Sequence, residues 1–184
     1  MTLANKITTF RITLIPLFIL SLLFECPYCQ YFSLGLFSLA VISDGLDGLA
    51  ARRKKQKTKT GAFLDPIADK LLLASAFILL AKLGKIPIWA PIIIIARDAF
   101  IVLGWLTLST VFNKSAVIPS ALGKLTTFLQ MGLIFLILLF PLLPPRPLFD
   151  FDKVVFYALW TTIIFTVLSA IDYAIIARER IEKG

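Results

Sequence analysis

Histidine is absent from this sequence of 184 residues, and cysteine occurs only twice. Without histidine the chain lacks the commonest general base and the commonest zinc ligand, so acid–base or metal chemistry falls to carboxylates. Charged residues make up only 16% of the chain, whereas hydrophobic residues make up 59%. Such a composition lies outside the range of soluble domains and predicts an integral membrane protein.

The two cysteines, Cys26 and Cys29, form a CxxC pair after the first apolar run. A redox motif of this kind is expected near a βαβ pattern, and a zinc site would need two further ligands; neither is visible. We therefore assign the pair no redox or metal role. A disulfide is expected only if this loop faces an oxidising compartment.

Apolar runs dominate the chain, and lipid accepts only helices or closed barrels. The runs are too long and continuous for barrel strands, and each is close to the roughly 20 residues that a helix needs to cross a bilayer. We predict one all-α transmembrane domain over residues 1–184, with six membrane-spanning helices. Their predicted ranges are 7–24, 31–51, 60–83, 87–110, 120–142 and 153–177.

The basic residues are unevenly distributed between the two sides of such a bundle. With six spans, 15 of the 19 lysines and arginines lie on the side that holds both termini, and the run from Arg52 to Lys59 is the largest single contributor. The positive-inside rule places this side in the cytoplasm. The net charge of +8 is therefore expected beside lipid headgroups, and no nucleic-acid partner is predicted.

Among the aspartates that interrupt the apolar runs or lie at their ends are Asp44, Asp47, Asp65, Asp69 and Asp98. Ionisable residues inside a membrane are costly, and they usually face a bundle interior or a wet cavity and have a functional partner. The spacing of the first four is helical, with intervals of three between Asp44 and Asp47 and of four between Asp65 and Asp69. Antiparallel helices would bring the two faces together in a polar cavity near the cytoplasmic surface.

Four carboxylates in one pocket would repel one another strongly and therefore need cations. Oxygen donors without histidine or cysteine favour Mg²⁺ or Mn²⁺, and two such ions can clamp the attacking and leaving oxygens of a phosphoryl transfer. Gly48, Ala51 and Gly61 lack bulk on the same faces. They leave room for a large ligand, although tight helix crossings would also favour small residues there.

The segment from Asp44 to Arg52 reads DGLDGLAAR, and eight residues later the segment from Gly61 to Asp69 reads GAFLDPIAD. Together they resemble, without a departure, the DxxDGxxAR(x8)GxxxDxxxD signature of the CDP-alcohol phosphotransferases. The resemblance implies that an alcohol attacks the β-phosphorus of a CDP-linked lipid and that CMP is released. It also implies a membrane enzyme that forms a homodimer.

The resemblance assigns roles residue by residue. It implies that Asp44, Asp47 and Asp65 are metal ligands and that Asp69 is both a ligand and the general base for the acceptor hydroxyl. The donor nucleotide would be contacted by Gly48, Arg52 and Thr58. A carboxylate base is also the physical expectation in a chain without histidine, and the guanidinium of Arg52 offers a planar fork of donors to phosphate.

Looser motifs concern the acceptor alcohol. The N-terminal pattern of Asn5, Thr8 and Arg11, together with a GKxxTxxQ motif that includes Lys124, resembles the branch of this family that makes phosphatidylglycerol phosphate or cardiolipin. Arg97 and Lys124 are cations within apolar segments, and an anionic acceptor such as glycerol 3-phosphate would pair with them. An internal ion pair, for instance between Arg97 and Asp98, is the alternative.

We therefore expect CDP-diacylglycerol as donor and glycerol 3-phosphate as acceptor, in a multi-pass protein of the inner membrane with a cytoplasmic site. Phosphatidylglycerol as acceptor, which would yield cardiolipin, is the alternative within the family, and inositol phosphate is a third. A divalent-cation transporter could also use four aspartates. A transporter would gain nothing from the neighbouring Arg52, however, and would distribute acids through the depth of the membrane.

Overall fold

The computed structural model describes the backbone of residues 3–24, 28–54, 59–110, 120–144 and 150–182, and the side chains of 13–24, 28–43, 70–104, 120–144 and 150–178. Within these ranges the chain is helical and contains no strand, which confirms the predicted all-α class. The helices are α1 (Leu3–Leu23), α2 (Cys29–Lys54), α3 (Lys59–Lys82), α4 (Trp89–Thr110), α5 (Ala121–Leu139) and α6 (Phe151–Glu182).

Each predicted apolar segment corresponds to one helix, and the bounds differ by a few residues. The largest difference is at the end of α6, which continues to Glu182 instead of ending at 177, because its apolar part is followed by charged residues that are also good helix formers. In the fifth segment, α5 ends at Leu139 and a 3-10 turn over Phe140–Leu142, which contains Pro141, completes the predicted range.

Two helical segments in the described part of the chain are long and apolar enough to cross a bilayer, Ala121–Leu142 and Phe151–Arg178. The six-span arrangement stays a prediction. Short connections join α1 to α2 and α3 to α4, and such connections make neighbouring helices antiparallel.

The helices enclose a continuous apolar core. α1 packs against α2 and α3, α4 packs against α3 and α6, and α5 packs against α6 and also contacts α2 and α3. The largest fully buried side chains come from α1, α2, α3, α4 and α5: Phe18, Phe37, Phe77, Leu72, Leu73, Leu80, Ile94, Leu133, Ile134, Leu138 and Gln130. The bundle therefore holds α2 and α3 beside the same two helices, α1 and α5.

A buried polar seam joins α5 to α6. The hydroxyl of Thr126 donates to the backbone carbonyl of Phe165 at 3.0 Å, and the amide of Gln130 lies 3.5 Å from the hydroxyl of Thr166. In an apolar surrounding such pairs satisfy donors that would otherwise be costly to bury, whereas Oε1 of Gln130 is buried without a partner among the described residues. The seam leads along α6 to Ser169, which is also buried.

Cys29, the first residue of α2, is disulfide-bonded. Cys26, the only other cysteine of the chain, lies outside the described residues. The disulfide that the sequence left conditional is thus present at Cys29, at the end of the bundle where α1 leads into α2.

Candidate active site

The four motif aspartates lie on two continuous helices. α2 includes Asp44 and Asp47, and α3 includes Asp65 and Asp69. The helical register that the spacing predicted is therefore confirmed for the backbone: intervals of three and four residues return to one side of a helix. The side chains of these aspartates, and those of Gly48 and Arg52, lie outside the described side chains, and Thr58 lies outside the described residues.

The donor set at these positions suits a hard cation. Among the described side chains no group of three or more acidic or cysteine residues could hold a metal ion. The motif positions of α2 and α3 supply carboxylate oxygen only, with no thiolate or imidazole, and this is the donor chemistry that Mg²⁺ and Mn²⁺ accept.

Lys70 is the first described side chain after the motif, and it forms an ion pair across the helix interface. Its Nζ lies 2.6 Å from Oδ1 of Asp98 on α4. The Asp98 side chain is 13% exposed and that of Lys70 is 30% exposed. This bond ties α3 to α4 one residue after Asp69.

Arg97 binds the same carboxylate from the neighbouring position. Its Nη1 donates to Oδ1 of Asp98 at 2.7 Å, and its Nη2 donates to the hydroxyl of Ser169 on α6. The Arg97 side chain is only 5% exposed, and its Nε is buried without a hydrogen-bond partner among the described residues. The internal ion pair that sequence analysis kept as the alternative for Arg97 is therefore present.

The guanidinium of Arg97 also reaches the first turn of α5. Ser120 caps this helix, because its hydroxyl accepts a hydrogen bond from the backbone N–H of Gly123 at 3.0 Å. A Cβ at Gly123 would lie 3.3 Å from Nη2 of Arg97, so the absent side chain lets the guanidinium approach. Lys124 follows directly and is exposed.

Among the described side chains at this corner of the bundle, the cations Arg97, Lys124 and Lys70 outnumber the single carboxylate of Asp98. The N-terminus of α5 carries the positive end of the helix dipole, and Arg97 lies against it while Lys124 stands in its first turn. Asp98 offsets part of the charge, since it pairs with both Arg97 and Lys70. The arrangement brings Arg97 and the helix that carries Lys124 together, and the acceptor site itself stays a prediction.

Ser169 is the participant that sequence reasoning missed. Thr162, Thr166 and Ser169 follow one another along α6 at intervals of four and three residues, and all three are buried. A stripe of hydroxyl residues at helical spacing within an apolar segment was the available signal, because polar residues there usually meet a partner on a neighbouring helix.

Comparisons with known proteins agree with the motif. The family model described as CDP-alcohol phosphatidyltransferase matches residues 1–168. A Mycobacterium tuberculosis protein named probable phosphatidylglycerophosphate synthase is 38% identical over 175 residues, covering 93% of this chain and 79% of its own length.

Two further relatives carry the name CDP-diacylglycerol–glycerol-3-phosphate 3-phosphatidyltransferase. The Bacillus subtilis protein is 36% identical over 183 residues, which covers 93% of this chain and 92% of the relative. The Pectobacterium atrosepticum protein is 32% identical over 176 residues, which covers 94% of this chain and 93% of the relative. The similarity therefore extends over most of each chain and is not limited to the motif.

Proposed function

We propose that this chain, which belongs to the CDP-alcohol phosphatidyltransferase family, transfers the phosphatidyl group of CDP-diacylglycerol to sn-glycerol 3-phosphate and releases CMP. The observation that carries the proposal is the complete family signature on the continuous helices α2 and α3. The names of relatives that match over most of their length support the choice of donor and acceptor. The product would be phosphatidylglycerol phosphate.

The aspartates divide the chemistry between them. Asp44, Asp47, Asp65 and Asp69 are the residues that would hold two Mg²⁺ or Mn²⁺ ions. The chemistry such ions supply is neutralisation of charge on the phosphate oxygens as CMP departs. Asp69 also accepts the proton of the acceptor hydroxyl as that oxygen bonds to the β-phosphorus and the bond from phosphorus to CMP breaks.

Donor and acceptor occupy different parts of the site. Gly48, Arg52 and Thr58 contact the nucleotide part of the donor, with the Arg52 guanidinium on phosphate. The phosphate of the acceptor binds at the electropositive corner formed by Arg97, Lys124 and the N-terminus of α5. The close approach of Arg97 to Gly123 supports this placement, because cations and a helix N-terminus together favour an anion.

We also propose six membrane spans, with both termini and the site on the cytoplasmic side of the inner membrane, and a homodimer. Exposed aromatic residues beside the starts of α2 and α4 and within the first ten residues of α6 support the spans, since tyrosine and tryptophan favour the bilayer interface. Trp89 at the start of α4 lies against Trp160 of α6, with ring centroids 5.6 Å apart, and Tyr28 and Tyr157 are exposed. The disulfide at Cys29 supports an oxidising compartment at this same end.

The test is CMP release by the purified full-length protein in detergent with CDP-diacylglycerol and Mg²⁺ or Mn²⁺. Glycerol 3-phosphate, phosphatidylglycerol and inositol phosphate are compared as acceptors. We expect turnover with glycerol 3-phosphate, and a loss of about 100-fold or more in Asp69→Asn, which removes the base. Asp150→Asn makes the same change at an exposed position before α6 and is expected to keep activity within about twofold.

Other outcomes would redirect the proposal. Turnover with phosphatidylglycerol alone would make the chain a cardiolipin synthase of the same family and would remove the argument for a phosphate site at Arg97 and Lys124. Absence of metal-dependent CMP release with every acceptor would overturn the transferase, and cation transport would then be the function to measure.

A further inference from the structure

A single carboxylate oxygen joins two cations on neighbouring helices. Oδ1 of Asp98 lies 2.6 Å from Nζ of Lys70 and 2.7 Å from Nη1 of Arg97. Two cations and one anion leave the cluster with a net charge of +1. Unpaired cations are costly among apolar helices. The Asp98 carboxylate therefore stabilises Lys70 and Arg97 when no substrate is bound, and one positive charge remains uncompensated in the cluster.

The two cations differ in what they can still bind. Arg97 is held from the other side by Ser169 on α6 and is 5% exposed, so its guanidinium is fixed in place. Lys70 is 30% exposed, and an ammonium has three N–H donors. Lys70 therefore has donors available on its accessible side, and Arg97, which also lies against the first turn of α5, holds the Asp98 carboxylate in place.

We propose that Asp98 is a positioning residue that holds Lys70 ready to bind the phosphate of the acceptor alcohol. This inference rests on the proposed function and extends it by adding Lys70 to the acceptor site. Lys70 follows the proposed base Asp69 directly in α3. The hydroxyl and the phosphate of glycerol 3-phosphate stand at opposite ends of three carbons, so one acceptor molecule can reach groups carried by neighbouring positions of α3.

The chain of contacts explains how the position is maintained. Ser169 fixes Arg97, Arg97 fixes the Asp98 carboxylate, and the carboxylate fixes the Lys70 ammonium. An ordered ammonium binds phosphate without first losing the rotamer freedom of a long side chain. Loss of Asp98 is therefore expected to weaken acceptor binding and to leave the donor's binding unchanged.

The experiment measures KM for each substrate separately, in full-length Asp98→Asn, Lys70→Met and the double variant. We expect each single variant to raise KM for glycerol 3-phosphate about tenfold, the loss of roughly one hydrogen bond to a charged group. The KM for CDP-diacylglycerol should stay within about twofold. Because both changes remove one interaction, the double variant should be no worse than the more impaired single variant.

Lys82→Met is the matched control, since it removes an exposed lysine from the far end of the same helix and should leave both KM values unchanged. Lys70→Arg and Asp98→Glu keep the charges and should recover most of the acceptor affinity, and they decide the question if Asp98→Asn fails to fold. Equal rises in both KM values, a fall in kcat alone, or additive effects in the double variant would overturn the inference.

Failure of the inference is distinguishable from failure of the proposed function. If the wild-type protein does not release CMP with glycerol 3-phosphate, the proposed function and this inference both fall. If the wild type uses glycerol 3-phosphate and Lys70→Met retains its KM, the function stands and the role of Lys70 and Asp98 is refuted.

Discussion

Gly104 is the residue at which α4 lies close against the ring of Tyr173 on α6. A Cβ at this position would stand 2.9 Å from Cε1 of Tyr173, closer than side-chain atoms approach one another. The ring of Tyr173 is buried, and Phe100 packs edge-on against it with centroids 6.3 Å apart. The ring therefore has little room to move away from an added methyl group.

We expect Gly104→Ala to destabilise the protein by about 1–3 kcal/mol through overpacking, despite the higher helix propensity of alanine. Gly132→Ala is the matched control within α5, because a Cβ there meets nothing within 4 Å, and its unfolding temperature should stay level or rise. Thermal unfolding in detergent measures both variants. An unchanged unfolding temperature in Gly104→Ala would contradict the close contact.

Among the residues around the candidate site, some contacts could be predicted from the sequence and others could not. The helical register of Asp44 and Asp69 followed from spacing alone, because an intact motif on regular helices leaves little choice. The pairing of Arg97 with Asp98 was foreseen as an alternative, since the two are adjacent. The ion pair between Lys70 and the same oxygen of Asp98 was not foreseen, because it depends on how α3 packs against α4.

At the scale of elements, the end of α3 is built around Gly84. Its φ is +69°, the left-handed region that glycine adopts without strain. The backbone N–H of Lys85 donates to the carbonyl of Leu80 at 2.9 Å, and that of Gly84 donates to Ala81 at 3.0 Å. This is a Schellman cap, and it reverses the chain between α3 and α4.

We expect Gly84→Ala to cost about 1–2 kcal/mol, the penalty of placing a Cβ in the left-handed conformation. Nothing stands within 4 Å of that Cβ, so the whole effect is backbone strain and the site should keep its KM values. Denaturant or thermal unfolding together with CMP release checks both statements. Lost activity at full stability would show that the turn has another role.

The ion pair at the start of α6 makes the stability of its first turn depend on pH. Lys153 forms an ion pair of 3.0 Å with the carboxylate of Asp150, and its backbone N–H donates to the same side chain. Hydrogen bonding to Lys153 lowers the pKa of Asp150 below its ordinary value of 3.8. Because this pKa is lowered in the folded state, the ionised Asp150 carboxylate stabilises the fold at pH values above its ordinary pKa. That stabilisation is lost as the pH falls through the pKa of Asp150 in the folded protein.

We therefore expect the first turn of α6 to loosen only in acid, below about pH 4. Hydrogen exchange at the Lys153 amide, compared between pH 3 and pH 6 after correction for intrinsic rates, measures the effect. The effect should be small because the pair is exposed. Asp150→Ala should abolish the pH dependence, and equal protection at both pH values in the wild type would contradict the assignment.

At the scale of the whole molecule, the apolar runs of the sequence predicted the number of helices, and the residues between the runs predicted where the helices approximately end. Length and apolar content alone placed all six segments, because in lipid the backbone has almost no other way to satisfy its hydrogen bonds. The pairing of helices was not predictable in the same way. The seam that joins Thr126 and Gln130 of α5 to α6 depends on complementary positions that hydropathy does not distinguish.

Orientation is the testable property of the whole molecule. In a protein with Cys26 and Cys29 replaced by serine, a single cysteine at Lys85 should react with a membrane-impermeant maleimide applied to intact cells. A single cysteine at Arg178 should react only after permeabilisation, because the positive-inside rule places the end of α6 in the cytoplasm. The reverse labelling pattern would refute the proposed topology.

The Lys70–Asp98 pair has a consequence for biosynthesis. Both residues belong to the hairpin of α3 and α4, which the Gly84 turn closes. In the proposed six-span topology these two segments would leave the translocon together, and the ion pair between Lys70 and Asp98 would form before α6 has been synthesised. The hydrogen bond from Arg97 to Ser169 forms only after α6 has been synthesised. We expect the hairpin to insert as a unit, and a ribosome-stalled chain ending after α4 to integrate less efficiently when Asp98 is replaced by asparagine.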